Sequence, residues 1–442
     1  MANTDQESAP LIANNDRPRD LAITITEHGL LEPVPECCIY KAPIRFREAN
    51  EKVYTPQLIS IGPVFHGNKN LALMERQKQR YYENFLRRTS VETSRKAASY
   101  IENNLERTCK CYDPQFGFEL EASKFIKIIS YDAVFIIELF LRTIGETYDD
   151  DFFRGELLRV ELPTDLMLLE NQLPFFVLKD LYNIAFPEPA KIFSFLDLAC
   201  WYFDVNKDLS LDDKEIKHFT DLIRYQAQSS YPLNSLEGIH NMYSATMLHE
   251  AGVKFVGVKN HEVHIESTGF EGSKPEVRNS INNLLNVKFE KGVLELQVIT
   301  VKYETETRFR NLMAFEQCHY PKEAYFCSYI LLLDSLVNTS EDVDLLVKDG
   351  IIVNRLGSSG AVADMINNLA VGVVHSTMLY DQIGRNLNKY YHNCWNRTWT
   401  ILKHVYFNDL WRGTATIAAF IVVILTLTQA VLAILDRAIP IK

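Results

Sequence analysis

The chain has 442 residues, 47% hydrophobic and 23% charged. That balance excludes a disordered protein and suggests two or three core-sized units. With 57 acidic against 46 basic residues the formal charge is −11, which excludes a general binder of phosphate backbones, so no nucleic-acid partner is expected.

Residues 1–36 hold seven acids and two arginines, about −5 of that charge, and read as a flexible acidic tail. No basic n-region or apolar h-region is present, so no secretory signal is expected, and the patch Leu21-Ala-Ile-Thr-Ile25 can dock or pair locally. Residues 37–412 read as an α-rich globular body, one unit or two packed lobes, with punctuation such as Tyr54-Thr-Pro56 and Ile61-Gly-Pro63. Eight cysteines are too sparse for a disulfide scaffold; Cys37-Cys38 and Cys109-Lys-Cys111 lack zinc-site spacing and read as reduced structural thiols. The stretch from Met74 to Leu86 is dense in helix formers, with Met74, Tyr81, Tyr82, Phe85 and Leu86 tending to one side. From Phe118 to Arg142 the chain is nearly continuously apolar, which marks a central helix. Pro163-Thr-Asp165 reads as a stop and a new helix start before Leu166-Met-Leu-Leu169, and Pro174 must kink or interrupt the chain beyond it. Further helices are expected near 190–204, 211–228, 238–250, 275–285, 308–317, 321–338 and 359–388.

One region has period two. In Leu285-Asn-Val-Lys-Phe289 and Val293-Leu-Glu-Leu-Gln-Val298, apolar and polar residues alternate around Glu290-Lys-Gly292, predicting a β-hairpin with a left-handed glycine. Val253, Phe255, Val263 and Ile265 are candidates to add strands. The expected fold class is mainly α (α+β): a large helical body, a small antiparallel hairpin or sheet, and one C-terminal transmembrane helix.

That last helix is expected over 413–435, followed by a short tail, 436–442. Thr416 to Leu435 is twenty residues without a charge, about 30 Å of helix, which matches the hydrocarbon thickness of a bilayer. Tyr406, Phe407 and Trp411 precede it where interfacial aromatics are expected, and Asp436, Arg437 and Lys442 come after it with no further chain to bury it. Arg397, Lys403 and Arg412 before the run against Arg437 and Lys442 after it favour a cytosolic body, as does the missing signal peptide. The sequons at Asn338 and Asn396 point the other way but are near chance in number.

Chemistry is harder to find. His261-Glu-Val-His264 is one residue short of H-E-x-x-H, so its imidazoles stand about 300° apart on a helix and on opposite faces of a strand; no metal site is expected. Gly252 and Gly257 have phosphate-loop spacing, but Val258 intervenes before Lys259. Gly357-Ser-Ser-Gly360 fits helix capping by Ser358 or Ser359, and His66 and His249 fit capping or packing. Acids within apolar runs stand out: Asp132, Glu138, Glu170, Glu316 and Asp334. Converging, Glu138, Glu170 and Glu316 would form a carboxylate site for acid–base or metal chemistry. The competing expectation is structural pairing, Glu138 with Arg142 and Glu316 with Arg310.

Several long motifs then carry a resemblance: Ile39-Tyr-Lys-Ala-Pro43, Tyr54-Thr-Pro-Gln-Leu-Ile-Ser-Ile-Gly-Pro63, Asp165-Leu-Met-Leu-Leu-Glu-Asn-Gln-Leu-Pro-Phe-Phe176, Ala251-Gly-Val-Lys-Phe255 and Phe309-Arg-Asn-Leu-Met-Ala-Phe-Glu-Gln317. In that order, with the apolar C-terminus, they resemble the plant family called domain of unknown function 247 over about residues 38–435. The resemblance implies a membrane protein with one C-terminal span and no assigned catalytic residue or cofactor; some grass members are linked to self-incompatibility. His66-Gly67-Asn68 departs slightly from the more basic stretch associated with that loop. The expected function is a non-enzymatic recognition or signalling module tethered to a bilayer, the plasma membrane being one candidate, with an unnamed protein partner. The alternatives are an enzyme built on the three carboxylates and a self-associating scaffold using Gly413, Ala415, Ala418 and Ala419, which would make the chain a homo-oligomer.

Overall fold

The computed structural model describes residues 34–117, 119–144, 156–187, 193–205, 215–227, 242–259, 284–374, 379–393 and 410–438, together with 22–24, 207 and 211. A first group of helices comprises α1 (Ile44–Ala49), α2 (Ala72–Arg88), α3 (Val91–Asn103), α4 (Leu105–Lys110), α5 (Ala122–Ile144), α6 (Glu156–Leu166), α7 (Phe175–Ala185) and α8 (Phe195–Tyr202). Its centre is α5, against which α2, α3, α7 and α8 pack. The apolar run made that position legible: Phe125, Ile129, Ala133, Phe135, Ile136, Ile137 and Phe140 are fully buried, and Phe140 stacks 4.5 Å from Tyr202 and 5.7 Å from Phe195. The helix begins at Ala122 rather than 118, because Glu119–Glu121 is a strand, β2. The first strand, β1 (Ala22–Thr24), lies within the apolar patch of the N-terminal tail and pairs antiparallel with β2.

A second group holds α9 (Phe219–Ala227), α10 (Ala245–Glu250), α11 (Thr305–His319), α12 (Tyr325–Leu336), α13 (Ser340–Lys348), α14 (Ser359–Ala370) and α15 (Asp381–Tyr391). Helix α11 packs against α9, α12 and α14. Buried apolar side chains from Cys37 to Leu387 form one contiguous core through both groups. Local capping sets several starts: Ser90 accepts the Thr93 N–H, and Ser194 with Asp197 and Thr339 with Asp342 form capping boxes. The expected helix near 359–388 is two helices. After α14 the chain turns at Gly372, whose φ of +87° is left-handed.

The hairpin forms as expected, between β4 (Lys288–Glu290) and β5 (Val293–Gln297). Both turn residues are left-handed, Lys291 at φ +50° and Gly292 at +79°, as the twist of a two-residue turn demands. The expected antiparallel sheet is instead mixed: β3 (Lys254–Val258), which contains Phe255, runs parallel to β5 with Phe255 opposite Leu294. Strand β4, antiparallel to β5, carries the chain back along the sheet, so that β5 can run beside β3 in the same direction. A further parallel pair joins β6 (Ile299–Val301) to β7 (Ile352–Asn354). Val263, Ile265 and residues 275–283 of the expected helix lie outside the described residues, and Leu284 and Leu285 form a turn.

The expected break at Pro163 is a second correction. Helix α6 runs through Pro163 and ends at Leu166, and Leu166–Leu169 do not start a new helix. Side-chain amides cap its open end. Asn171 Nδ2 donates to the Asp165 carbonyl at 3.0 Å, and Gln172 Nε2 donates to the Leu166 and Leu168 carbonyls at 2.6 and 2.8 Å. Pro174 does interrupt the chain, standing just before α7 as its N-cap.

The last helix, α16 (Leu410–Ala438), has 29 residues. Within it Ile417–Ile434 has a mean hydropathy of 2.6 and no buried residue, so it is long and apolar enough to cross a membrane.

Candidate functional site

The last turn of α6 and the irregular segment that leads on to α7 are buried throughout from Thr164 to Leu173, so each polar group there needs a partner. The partners come largely from residues 42–62. Asp165 accepts the backbone N–H groups of Gln57, Leu58 and Ile59 at 3.1, 2.7 and 2.9 Å. Asn171 Oδ1 accepts the Ile61 N–H at 2.6 Å while its Nδ2 also donates to the Ile59 carbonyl at 3.0 Å. Gln172 Oε1 accepts the Phe219 N–H at 3.1 Å, tying in α9. Asn311 of α11 closes the set, accepting the Leu169 N–H at 2.9 Å and donating to the Val53 carbonyl at 2.8 Å. The motifs that carried the resemblance thus bind one another in the interior.

Of the three candidate carboxylates only Glu170 belongs to this frame; the three are held by different arginines, Glu138 by two of them. Glu170 binds Arg47 through both oxygens and accepts the Ala42 N–H at 2.7 Å. Glu316 binds Arg224 Nε at 3.0 Å and the Cys327 N–H at 3.0 Å; the expected partner Arg310 bonds Glu306 instead, at 2.7 Å, because i,i+4 spacing on α11 brings those two together. Glu138 binds Arg88 and lies 3.5 Å from Arg142 Nε, the expected partner. Burial pushes the Glu170 and Glu316 carboxyls above the ordinary carboxylate range, and their arginines pull the other way. Asp132 is bound by the fully buried Lys78 at 2.6 Å and by the Gly62 N–H at 2.7 Å; burial raises it to about 6. Asp334 is half-buried, and burial lifts it to about 6 as well.

Two histidines escaped the sequence reading. His218 is fully buried, its Nε2 donating to the Cys38 carbonyl at 2.9 Å, and burial lowers it to about 3. His319 Nδ1 stands 2.9 Å from Tyr40 Oη, which itself lies 2.7 Å from the Cys37 carbonyl. A carbonyl only accepts, so Tyr40 donates to Cys37 and His319 Nδ1–H donates to Tyr40; burial holds this imidazole neutral, at about 4. The only sequence signal for either was a histidine in an apolar neighbourhood, too common to single out.

The weaker candidates resolve as local structure. Gly252 is a left-handed turn glycine and Gly257 lies inside β3. Ser358 caps α14, accepting the Ala361 N–H at 3.4 Å. His249 sits in the last turn of α10, and His66 Nδ1 is 4.0 Å from Glu75. Cys37, Cys38, Cys109, Cys111, Cys200 and Cys327 are buried and Cys318 is half-buried, and no two described cysteines are joined in a disulfide. His261 and His264 lie outside the described residues; among these, no three His, Cys, Asp or Glu side chains are grouped to hold a metal ion.

No solved structure matches the chain. Two relatives in Arabidopsis thaliana do. UPF0481 protein At3g47200 is 28% identical, covering 90% of this chain and 87% of its own. Putative UPF0481 protein At3g02645 is 25% identical, covering 93% of this chain and 92% of its own. A family model described as "Plant protein of unknown function" spans residues 39–425, from the motif at Ile39 into α16, and the chain belongs to that family, domain of unknown function 247.

Proposed function

We propose that this protein is a single-pass membrane protein whose helical body recognises a protein partner at the bilayer surface. The observation that carries the reading is α16: its apolar window buries no residue against the body, and a bilayer removes such a surface from water. The charges flanking the run favour a cytosolic body. A recognition role, rather than a carboxylate enzyme, is supported by the commitment of Glu138, Glu170 and Glu316 to separate arginines.

Proximity labelling from the full-length chain in plant cells tests this reading, alongside an Ile421→Arg/Ile424→Arg variant. Each arginine at the centre of a span costs about 2.5–3.5 kcal/mol of insertion. The expected result is a reproducible set of membrane-associated neighbours that the double variant loses. Neighbours identical for both chains, or turnover of a small molecule by purified protein with no protein captured, would contradict the proposal.

A further inference from the structure

Within Ile417–Ile434 three side chains are polar: Thr426, Thr428 and Gln429. The threonines are satisfied inside the helix. Thr426 Oγ1 donates to the Val422 carbonyl at 2.7 Å and Thr428 Oγ1 donates to the Ile424 carbonyl. The Gln429 side chain is exposed and has no hydrogen bond among the described residues. If α16 spans a bilayer, as proposed above, this amide sits about 9 Å of helix inside Leu435, the nearer end of the run. There no water reaches its two N–H donors and its carbonyl, so a protein partner is favoured.

The helix divides its residues around that amide. At about 100° per residue, Ala415, Ala419, Val422, Thr426, Gln429 and Ala433 fall within one arc of about 80°. Ile417, Phe420, Ile424, Leu427, Val431 and Ile434 occupy the opposite side, all exposed and bulky. The first face admits a close helix neighbour while the second suits lipid chains.

We infer that α16 pairs with α16 of a second copy of this chain, in a parallel dimer joined through Gln429. Two observations choose a copy over another span. Copies inserted with the same topology put their Gln429 residues at the same depth. A primary amide is also self-complementary, each donating an N–H to the other's carbonyl. This inference rests on the membrane-spanning reading.

The test uses full-length protein, labelled with donor or acceptor fluorophores, reconstituted into phosphatidylcholine vesicles. Flotation is read first and energy transfer is titrated against the protein-to-lipid ratio. The expected result is co-flotation with concentration-dependent transfer. Gln429→Leu should weaken dimerisation by about 3- to 30-fold, Gln429→Asn should retain it, and Phe420→Leu on the opposite face should leave it unchanged. A chain that fails to float overturns the spanning reading and this inference with it. A chain that floats but stays monomeric, or a Gln429→Leu variant that dimerises like wild type, overturns the inference alone.

Discussion

Glu316 has no exposed surface and its charge is matched by Arg224, itself 4% exposed, so the pair stands or falls together. Glu316→Gln takes the nearest carboxylate from a buried guanidinium, leaving only the exposed Glu323 carboxylate at 4.0 Å, and should destabilise the fold by about 3 kcal/mol in urea unfolding. Glu316→Met combined with Arg224→Met should cost less than the two single changes summed; strict additivity would mean that the pair is not coupled. His218 gives a pH signature. Its imidazole is neutral in the fold down to about pH 3, whereas the unfolded chain takes up a proton near 6.5. The His218 contribution is therefore full above pH 6.5 and falls as pH drops from 6.5 toward 3, by up to about 1.4 kcal/mol per unit. Asp132 and Asp165, both raised to about 6 by burial, act in the opposite sense between about 3.8 and 6, favouring the fold as pH falls. The stability difference between wild type and His218→Gln isolates the histidine: it should shrink below pH 6.5 and be flat above. Parallel pH profiles would contradict the buried neutral imidazole.

At the scale of elements, the long periodic helices and the hairpin were legible because their apolar spacing is set by local geometry, as in α5 and β4–β5. The partners of buried charges were only half legible. Glu138 and Arg142 are one helical turn apart, whereas Arg224 meets Glu316 across 92 positions of chain, a pairing no spacing encodes. The continuation of α6 through Pro163 was hidden for the same reason, since Asp165 and Asn171 find partners in residues 57–61 and Gln172 finds one in Phe219, all far away in sequence. The loop at Gly62 shows how tight that docking is. Gly62 has φ +73°, and a Cβ there would lie 2.7 Å from the Gln172 carbonyl oxygen and 2.9 Å from Tyr112 Oη. Gly67, at φ +85°, faces open space. Gly67→Ala should therefore cost only the left-handed penalty of about 1 kcal/mol, and Gly62→Ala at least twice that, by thermal or denaturant unfolding. Equal losses would show that the close approach at Gly62 carries no energetic weight.

For the whole molecule, one contiguous core runs through the body, and family motifs, Glu170 among their residues, bind one another inside it. The core leaves α16 unexplained, since the apolar surface of that helix remains unburied. Almost half of the −11 charge belongs to the acidic tail, so net charge says little about the partner of the body. On the proposed reading, in which α16 spans a bilayer, the side on which the body lies restricts every partner at once. The most direct measurement is protease protection on sealed microsomes carrying the full-length chain with a different epitope at each end. A spanning α16 with a cytosolic body predicts digestion of the N-terminal epitope and protection of the C-terminal one, with the protein resisting alkaline carbonate extraction. Release of the chain by carbonate, or digestion of both epitopes in intact vesicles, would contradict it.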